Sequence, residues 1–203
     1  MPFLVASLVA SAVFVVLVTT AHFLKPKIDP RWRMLSELSI GRHGWVMNAA
    51  FVAWSVSNLS LAVGLIPLVP LWALLLVGIV SLGPLGAAFA VTDPITTPPE
   101  EQSRTGRVHT GFGMLFIFGL PLAVLLLAGW SVVASSPLWP WLCATAALVW
   151  AGLINFIVVT AKLARAGAKA GPESPIGIPN RWFSAAYMVW TVVIALAAMS
   201  LVG

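Results

Sequence analysis

Asp93 and His109 are the two residues of this sequence whose types and positions first suggest chemistry. They lie in the most polar segment of the chain, VTDPITTPPEEQSRTGRVH at 91–109, which separates two long apolar runs. A carboxylate can orient or polarise an imidazole, so the pair can act as a general base or as two metal ligands. The alternative is that Asp93 is a turn residue before Pro94 and that His109 starts a solvated helix. The cost of ionisable groups at membrane depth favours a function for the pair.

Glu37 and His22 are further candidates for acid–base chemistry. Glu37 lies in LSELS and acts as a second acid or base, or pairs with Arg31, Arg33 or Arg42 of the same loop. His22 ends the first apolar run. It either meets the imidazole of His109 or hydrogen-bonds a backbone carbonyl or a lipid phosphate. The predicted catalytic residues are Asp93, His109, Glu37 and His22.

Four other polar residues are predicted to bind a substrate. They are Ser36, Asn48, Arg31 and Arg181, and the two arginines can hold an anionic head group, although as topology determinants they need no ligand. Two of the histidines with a carboxylate would suit zinc or iron. Because no HxxxH or HExxH spacing is present, no metal and no other cofactor is predicted.

Several classes of function are excluded by what the chain lacks. No charged residue is predicted in the bilayer centre, which argues against an ion pump, a proton relay or a voltage sensor. The sequence contains no glycine-rich phosphate loop and no GxSxG motif. Cys143 is the one cysteine, so an internal disulfide is impossible.

The composition is that of an integral membrane protein. Of the 203 residues, 60% are hydrophobic and 8% are charged, whereas about a quarter of the residues of soluble domains are charged. The formal net charge is +5, but the basic residues lie in short loops beside apolar runs. They are therefore interpreted as topology signals and contacts to anionic lipid, and no nucleic-acid partner is predicted.

Six apolar runs predict the elements that must position the candidate residues. Each run is long enough to cross a hydrocarbon core of about 30 Å as a helix. The fold class is therefore all-α, a single six-span transmembrane domain over residues 1–203. The predicted helices cover residues 3–24, 43–66, 71–92, 108–134, 138–163 and 182–202.

The charges predict an orientation for these spans. All charged side chains lie in or beside three loops, 25–42, 93–107 and 162–181, which hold five, two and four of the Lys and Arg residues. Six spans put these loops on one side, and the positive-inside rule makes that side the cytoplasm, with both termini outside a bacterial inner membrane. The candidate residues then share one layer at the cytoplasmic interface, and their convergence depends on how the helices pack.

Short motifs occur in a fixed order along the chain: His22 at the end of helix one, LSEL at 35–38, Asn48, Thr92-Asp93, His109 opening helix four, and Gly177 with Asn180-Arg181. This order resembles the domain of unknown function 998 family, six-helix membrane proteins of bacteria and archaea, over nearly the whole chain. Where that family has a proline after Phe before the aspartate, this chain has FAVTDP. The resemblance implies a six-span fold and no particular activity. It makes His22, Ser36, Glu37, Asp93 and His109 the positions to test.

The predicted function is that of an integral membrane enzyme or binding protein for a lipid-like amphiphile, such as an isoprenoid. Its polar part meets the predicted catalytic residues while its chain lies between helices. In an enzyme, Asp93 would orient His109 or donate a proton. The alternative is a structural or accessory membrane subunit, held beside a partner by small-residue helix faces and ten Trp. A small-molecule transporter is the third hypothesis, and the uncharged outer loops argue against it.

Overall fold

Six long helices make up the fold in a computed structural model that describes residues 1–167 and 171–202. Each is long and apolar enough to cross a membrane, so the all-α, six-span prediction is confirmed. Residues 129–134, predicted as the end of the fourth span, instead contain a separate four-residue helix, α5 (Ser131–Ala134). The long helices are α1 (Pro2–Leu24), α2 (Gly44–Gly64), α3 (Leu71–Phe89), α4 (Arg104–Ala128), α6 (Trp139–Arg165) and α7 (Gly177–Val202).

The long helices pack in a ring that follows the order of the chain. Each helix contacts the next, α4 contacts α6, and α7 closes the ring against α1 and α2. Aromatic side chains fill the interior, where the Trp54 ring lies 4.4 Å from that of Phe14 and 4.5 Å from that of Phe116. The Tyr187 hydroxyl donates to Asn58 Oδ1 at 3.0 Å. This bond joins α2 to α7 inside the bundle, where lipid offers these polar groups no partner.

Two helix starts differ from the sequence prediction for local reasons. α4 begins at Arg104, one turn earlier than predicted, because the Ser103 hydroxyl caps it by accepting from the Gly106 amide at 2.9 Å. α7 begins at Gly177 rather than 182 and has Pro179 in its first turn. A proline there removes an N–H that has no intrahelical partner.

The three loops that carry the charges meet at one end of the bundle, called the charged end below. The Ile95 amide donates to Glu37 at 2.9 Å, which joins the α3–α4 loop to the α1–α2 loop. Arg181 donates to the Arg33 carbonyl at 2.6 Å, which joins α7 to the same α1–α2 loop. Lys169, counted in the topology prediction, lies outside the described residues.

Candidate functional site

A cavity of about 350 Å³ lies inside the charged end of the bundle. This volume falls within the range of about 300–1,000 Å³ that small-molecule sites occupy. The predicted site residues that line it are Ser36, Glu37, Asp93 and His109. Aromatic side chains from four helices form much of its wall, namely Phe51, Trp54, Phe116, Phe156 and Phe183.

His109 is the buried imidazole of the cavity, with 7% of the residue exposed. Its Nδ1 lies 2.7 Å from the Ala90 carbonyl oxygen. Since a carbonyl only accepts, this bond assigns the ring proton to Nδ1 and leaves Nε2 as the acceptor. Nε2 forms no hydrogen bond with any residue that the structure describes. A ligand in the cavity can therefore meet an available imidazole nitrogen.

Asp93 and His109 both line the cavity, and Asp93 contacts the first turns of α4 at Gly106. The Asp93 carboxylate packs against this glycine so closely that a Cβ would overlap Oδ2, and His109 follows one helical turn later. Asp93 Oδ2 accepts from the Ser103 amide at 2.8 Å and from its hydroxyl at 3.1 Å. Oδ1 accepts from none of the described residues. The Ala90 carbonyl, and not Asp93, orients the His109 ring.

Glu37 borders the cavity but has both carboxylate oxygens occupied. The residue is 1% exposed. Oε2 accepts from the Met34 amide at 2.7 Å, and Oε1 accepts from the Ile95 amide at 2.9 Å. Oε1 also lies 2.8 Å from Arg33 Nε, so the pairing with an arginine of the same loop involves Arg33. Glu37 therefore holds the 3-10 turn Leu35–Ser39 against the loop that follows α3.

His22 and Arg181 lie outside the cavity and bond to each other. Arg181 Nε donates to His22 Nε2 at 3.2 Å, and His22 Nδ1 donates to the Val18 carbonyl at 2.8 Å. Arg181 Nη1 donates to the carbonyls of Pro30 at 3.0 Å and Arg33 at 2.6 Å. These bonds tie the start of α7 to the end of α1 and to the loop between α1 and α2.

Asn180 and Gly177 complete this connection. Asn180 Oδ1 accepts from the Leu35 amide at 2.9 Å, and the Gly177 amide donates to the Arg31 carbonyl at 3.0 Å. A Cβ at Gly177 would overlap the backbone of the α1–α2 loop, so the loop can come this close only to glycine. We call the whole set the loop network, and its members are His22, Arg33, Glu37, Gly177, Asn180 and Arg181.

Asn48 and Arg31, predicted to bind a substrate, also lie outside the cavity. Asn48 Oδ1 is buried and has no hydrogen-bond partner within the described part of the chain. Arg31 lies at the surface, where it donates to Asp29 at 2.7 Å and lowers the pKa of that carboxyl to about 2. Within residues 1–167 and 171–202, no three His, Cys, Asp or Glu side chains are grouped to hold a metal ion.

The cavity wall is the part of the site that sequence reasoning missed. Apolar residues at helical spacing look the same whether they face a core, a cavity or lipid. One usable signal is the glycine-rich start of α4, HTGFG at 109–113. Gly113 lines the cavity, and a Cβ built there meets none of the described atoms within 4 Å. The absent side chain at Gly113 is part of what leaves the space open.

Six membrane-length helices with an apolar exterior define a multi-pass membrane protein. The chain belongs to the family described as protein of unknown function (DUF998), whose family model matches residues 8–197. This match confirms the resemblance stated above. No curated protein and no solved structure matches the chain. Apart from Leu38 and Asn48, the residues that carry the resemblance lie in the loop network or at the cavity.

Proposed function

We propose that this protein binds a lipid-like amphiphile in the cavity and acts on its polar head by acid–base chemistry through His109. The observation that supports this proposal is an imidazole nitrogen, Nε2, without a protein partner in a cavity that is otherwise largely apolar. A ligand that combines an apolar chain with a hydrogen-bonding head would complement both the wall and the imidazole.

The lining residues that are exposed support entry from the bilayer. Thr110 and Met114 on α4 and Thr160 on α6 line the cavity and are also exposed, Met114 to 49%. They mark an opening between two membrane-spanning helices. Arg104 and Arg107 lie one to two turns from this opening, at the level expected for lipid head groups. An amphiphile can enter here with its chain in the membrane and its head toward the charged end.

His109 is the proton-transferring group in this proposal. Its Nε2 takes a proton from the head group while the Ala90 carbonyl holds Nδ1 in place. The neighbouring Asp93 carboxylate stabilises the imidazolium that forms. Glu37 and His22 contribute by holding the loops that close the cavity. The charged end faces the cytoplasm of a bacterial cell in this scheme, which labelling of a Thr96→Cys variant from outside intact cells would test.

Two substitutions of His109 distinguish the role of Nδ1, which bonds Ala90, from that of Nε2, which is available to the ligand. In His109→Asn the amide nitrogen takes the place of Nδ1 and keeps the bond to Ala90, but the atom equivalent to Nε2 is lost. In His109→Gln the amide group reaches the position of Nε2. Native mass spectrometry of protein purified from its own membranes measures the amphiphile that remains bound. We expect His109→Asn to lose at least about 1.4 kcal/mol, or tenfold, in affinity and His109→Gln to lose less.

A matched pair of glycine substitutions tests whether the cavity holds the ligand. A Cβ at Gly113 meets none of the described atoms within 4 Å, so Gly113→Phe places a large side chain at the cavity wall. Gly111, two residues earlier on α4, is exposed and does not line the cavity. We expect Gly113→Phe to lose the bound amphiphile and Gly111→Phe to retain it. Equal amounts of bound amphiphile in the two variants would show that the cavity is not the binding site.

A further inference from the structure

The acids that border the cavity differ in how their charge is compensated. The lining residues that the structure describes include Glu37 and Asp93 but neither Lys nor Arg. Glu37 pairs with Arg33 at 2.8 Å, whereas Asp93 bonds only the neutral donors of Ser103. Among the described ion pairs, Asp93 has none. An anionic head in this cavity would therefore lie beside an uncompensated carboxylate, which would repel it.

Two of the available atoms at the cavity are hydrogen-bond acceptors. Asp93 Oδ1 and His109 Nε2 both lack a donor from the described residues, and both residues line the cavity. The Ser36 hydroxyl lines the same cavity and can accept as well. A hydroxyl group on a ligand supplies one donor, whereas a primary ammonium supplies three. A quaternary ammonium carries the same charge but supplies no N–H donor.

From these observations we infer that the amphiphile is a single-chain primary amine, bound as its ammonium with N–H groups donated to Asp93 and His109. This inference rests on the proposed function and names its substrate class. The apolar wall around Trp54 and Phe116 takes the chain. The two arginines predicted to hold an anionic head lie outside the cavity, Arg181 in the loop network and Arg31 paired with Asp29.

Four ligands with the same dodecyl chain separate charge from hydrogen bonding: dodecylamine, dodecanol, dodecyl phosphate and dodecyltrimethylammonium. Each is titrated into the full-length, delipidated protein, and the bound fraction is measured by native mass spectrometry. We expect dodecylamine to bind at least about tenfold more tightly than each of the other three. Asp93→Asn keeps an oxygen that can accept from Ser103 but removes the charge. It should weaken dodecylamine about tenfold and leave dodecanol within about twofold.

The outcomes distinguish this inference from the function on which it rests. If dodecanol or dodecyl phosphate binds as tightly as dodecylamine, and Gly113→Phe abolishes that binding, the amine assignment is overturned while the cavity remains a ligand site. If dodecyltrimethylammonium equals dodecylamine, the N–H contacts are refuted. If no ligand distinguishes the wild-type protein from Gly113→Phe, the proposed function itself fails. The comparison of ligands on the wild-type protein does not depend on the folding of any Asp93 variant.

Discussion

The loop network and the cavity each contain a carboxylate and an imidazole, and the two sets differ in how many of their atoms are already bonded. In the loop network, Glu37 uses both carboxylate oxygens and His22 uses both ring nitrogens. In the cavity, Asp93 and His109 each use one atom for the protein. Residue types alone therefore do not separate a structural acid from a ligand-binding one. What distinguishes the two regions is the number of hydrogen-bonding positions that the protein leaves available.

The largest loss of stability is expected for Glu37→Ala. The substitution leaves Arg33 without its carboxylate and leaves the Met34 and Ile95 amides without an acceptor. Removing one partner of a buried ion pair costs about 3–5 kcal/mol. Thermal unfolding of the purified protein in detergent measures this cost. Glu100→Ala, at an exposed loop position, is the matched control, and an equal unfolding midpoint in both variants would contradict the structural role of Glu37.

An intermediate loss is expected for Gly177→Ala. The added Cβ meets the backbone of Pro30 and Arg33, so the α1–α2 loop must move away from α7. Overpacking of this kind costs about 1–3 kcal/mol. Gly78→Ala is the control, because its Cβ meets none of the described atoms within 4 Å, and alanine is the better helix former. Equal thermal unfolding midpoints for Gly177→Ala and Gly78→Ala would contradict a stabilising role for the contact between the α1–α2 loop and α7.

The smallest loss of stability is expected for Asp93→Ala, although its loss of ligand should be the greatest of the three. Only the two bonds from Ser103 are removed, at the surface end of α4, which costs about 1 kcal/mol. Unfolding and ligand binding are measured on the same preparation. A destabilisation as large as that of Glu37→Ala would place Asp93 in the loop network and remove the contrast between the two regions.

The six spans could be predicted because a bilayer demands long apolar helices, a requirement that is visible in sequence. The loop network could not be predicted, because its hydrogen bonds join side chains to backbone atoms that are far away along the sequence. Glu37 and the Ile95 amide are 58 residues apart, and Arg181 and the Pro30 carbonyl are 151 residues apart. Every residue has a backbone carbonyl, so the sequence carries no mark of which carbonyl an arginine will reach.

For the candidate site, the sequence predicts only the membrane layer in which each residue lies, because topology fixes that layer. Asp93 and His109 share a layer because both flank the α3–α4 loop, and both line the cavity there. His22 shares that layer, but it faces Arg181 rather than the cavity. Helix rotation decides between these outcomes, and it is set by packing. Gly83 of α3 shows the same dependence, because packing places Phe116 of α4 against it.

The bonds of Arg181 also impose an order on the biosynthesis of the protein. The chain is made from its N-terminus, and Arg181 and the Arg33 carbonyl are separated by 148 residues. The contact between Glu37 and Ile95 can form once three spans have entered the membrane. The α1–α2 loop, in contrast, must wait for the last span before it gains its arginine. Until α7 is inserted, this loop lacks its hydrogen bonds with Gly177, Asn180 and Arg181, so completing the last helix and fixing the first loop are a single step.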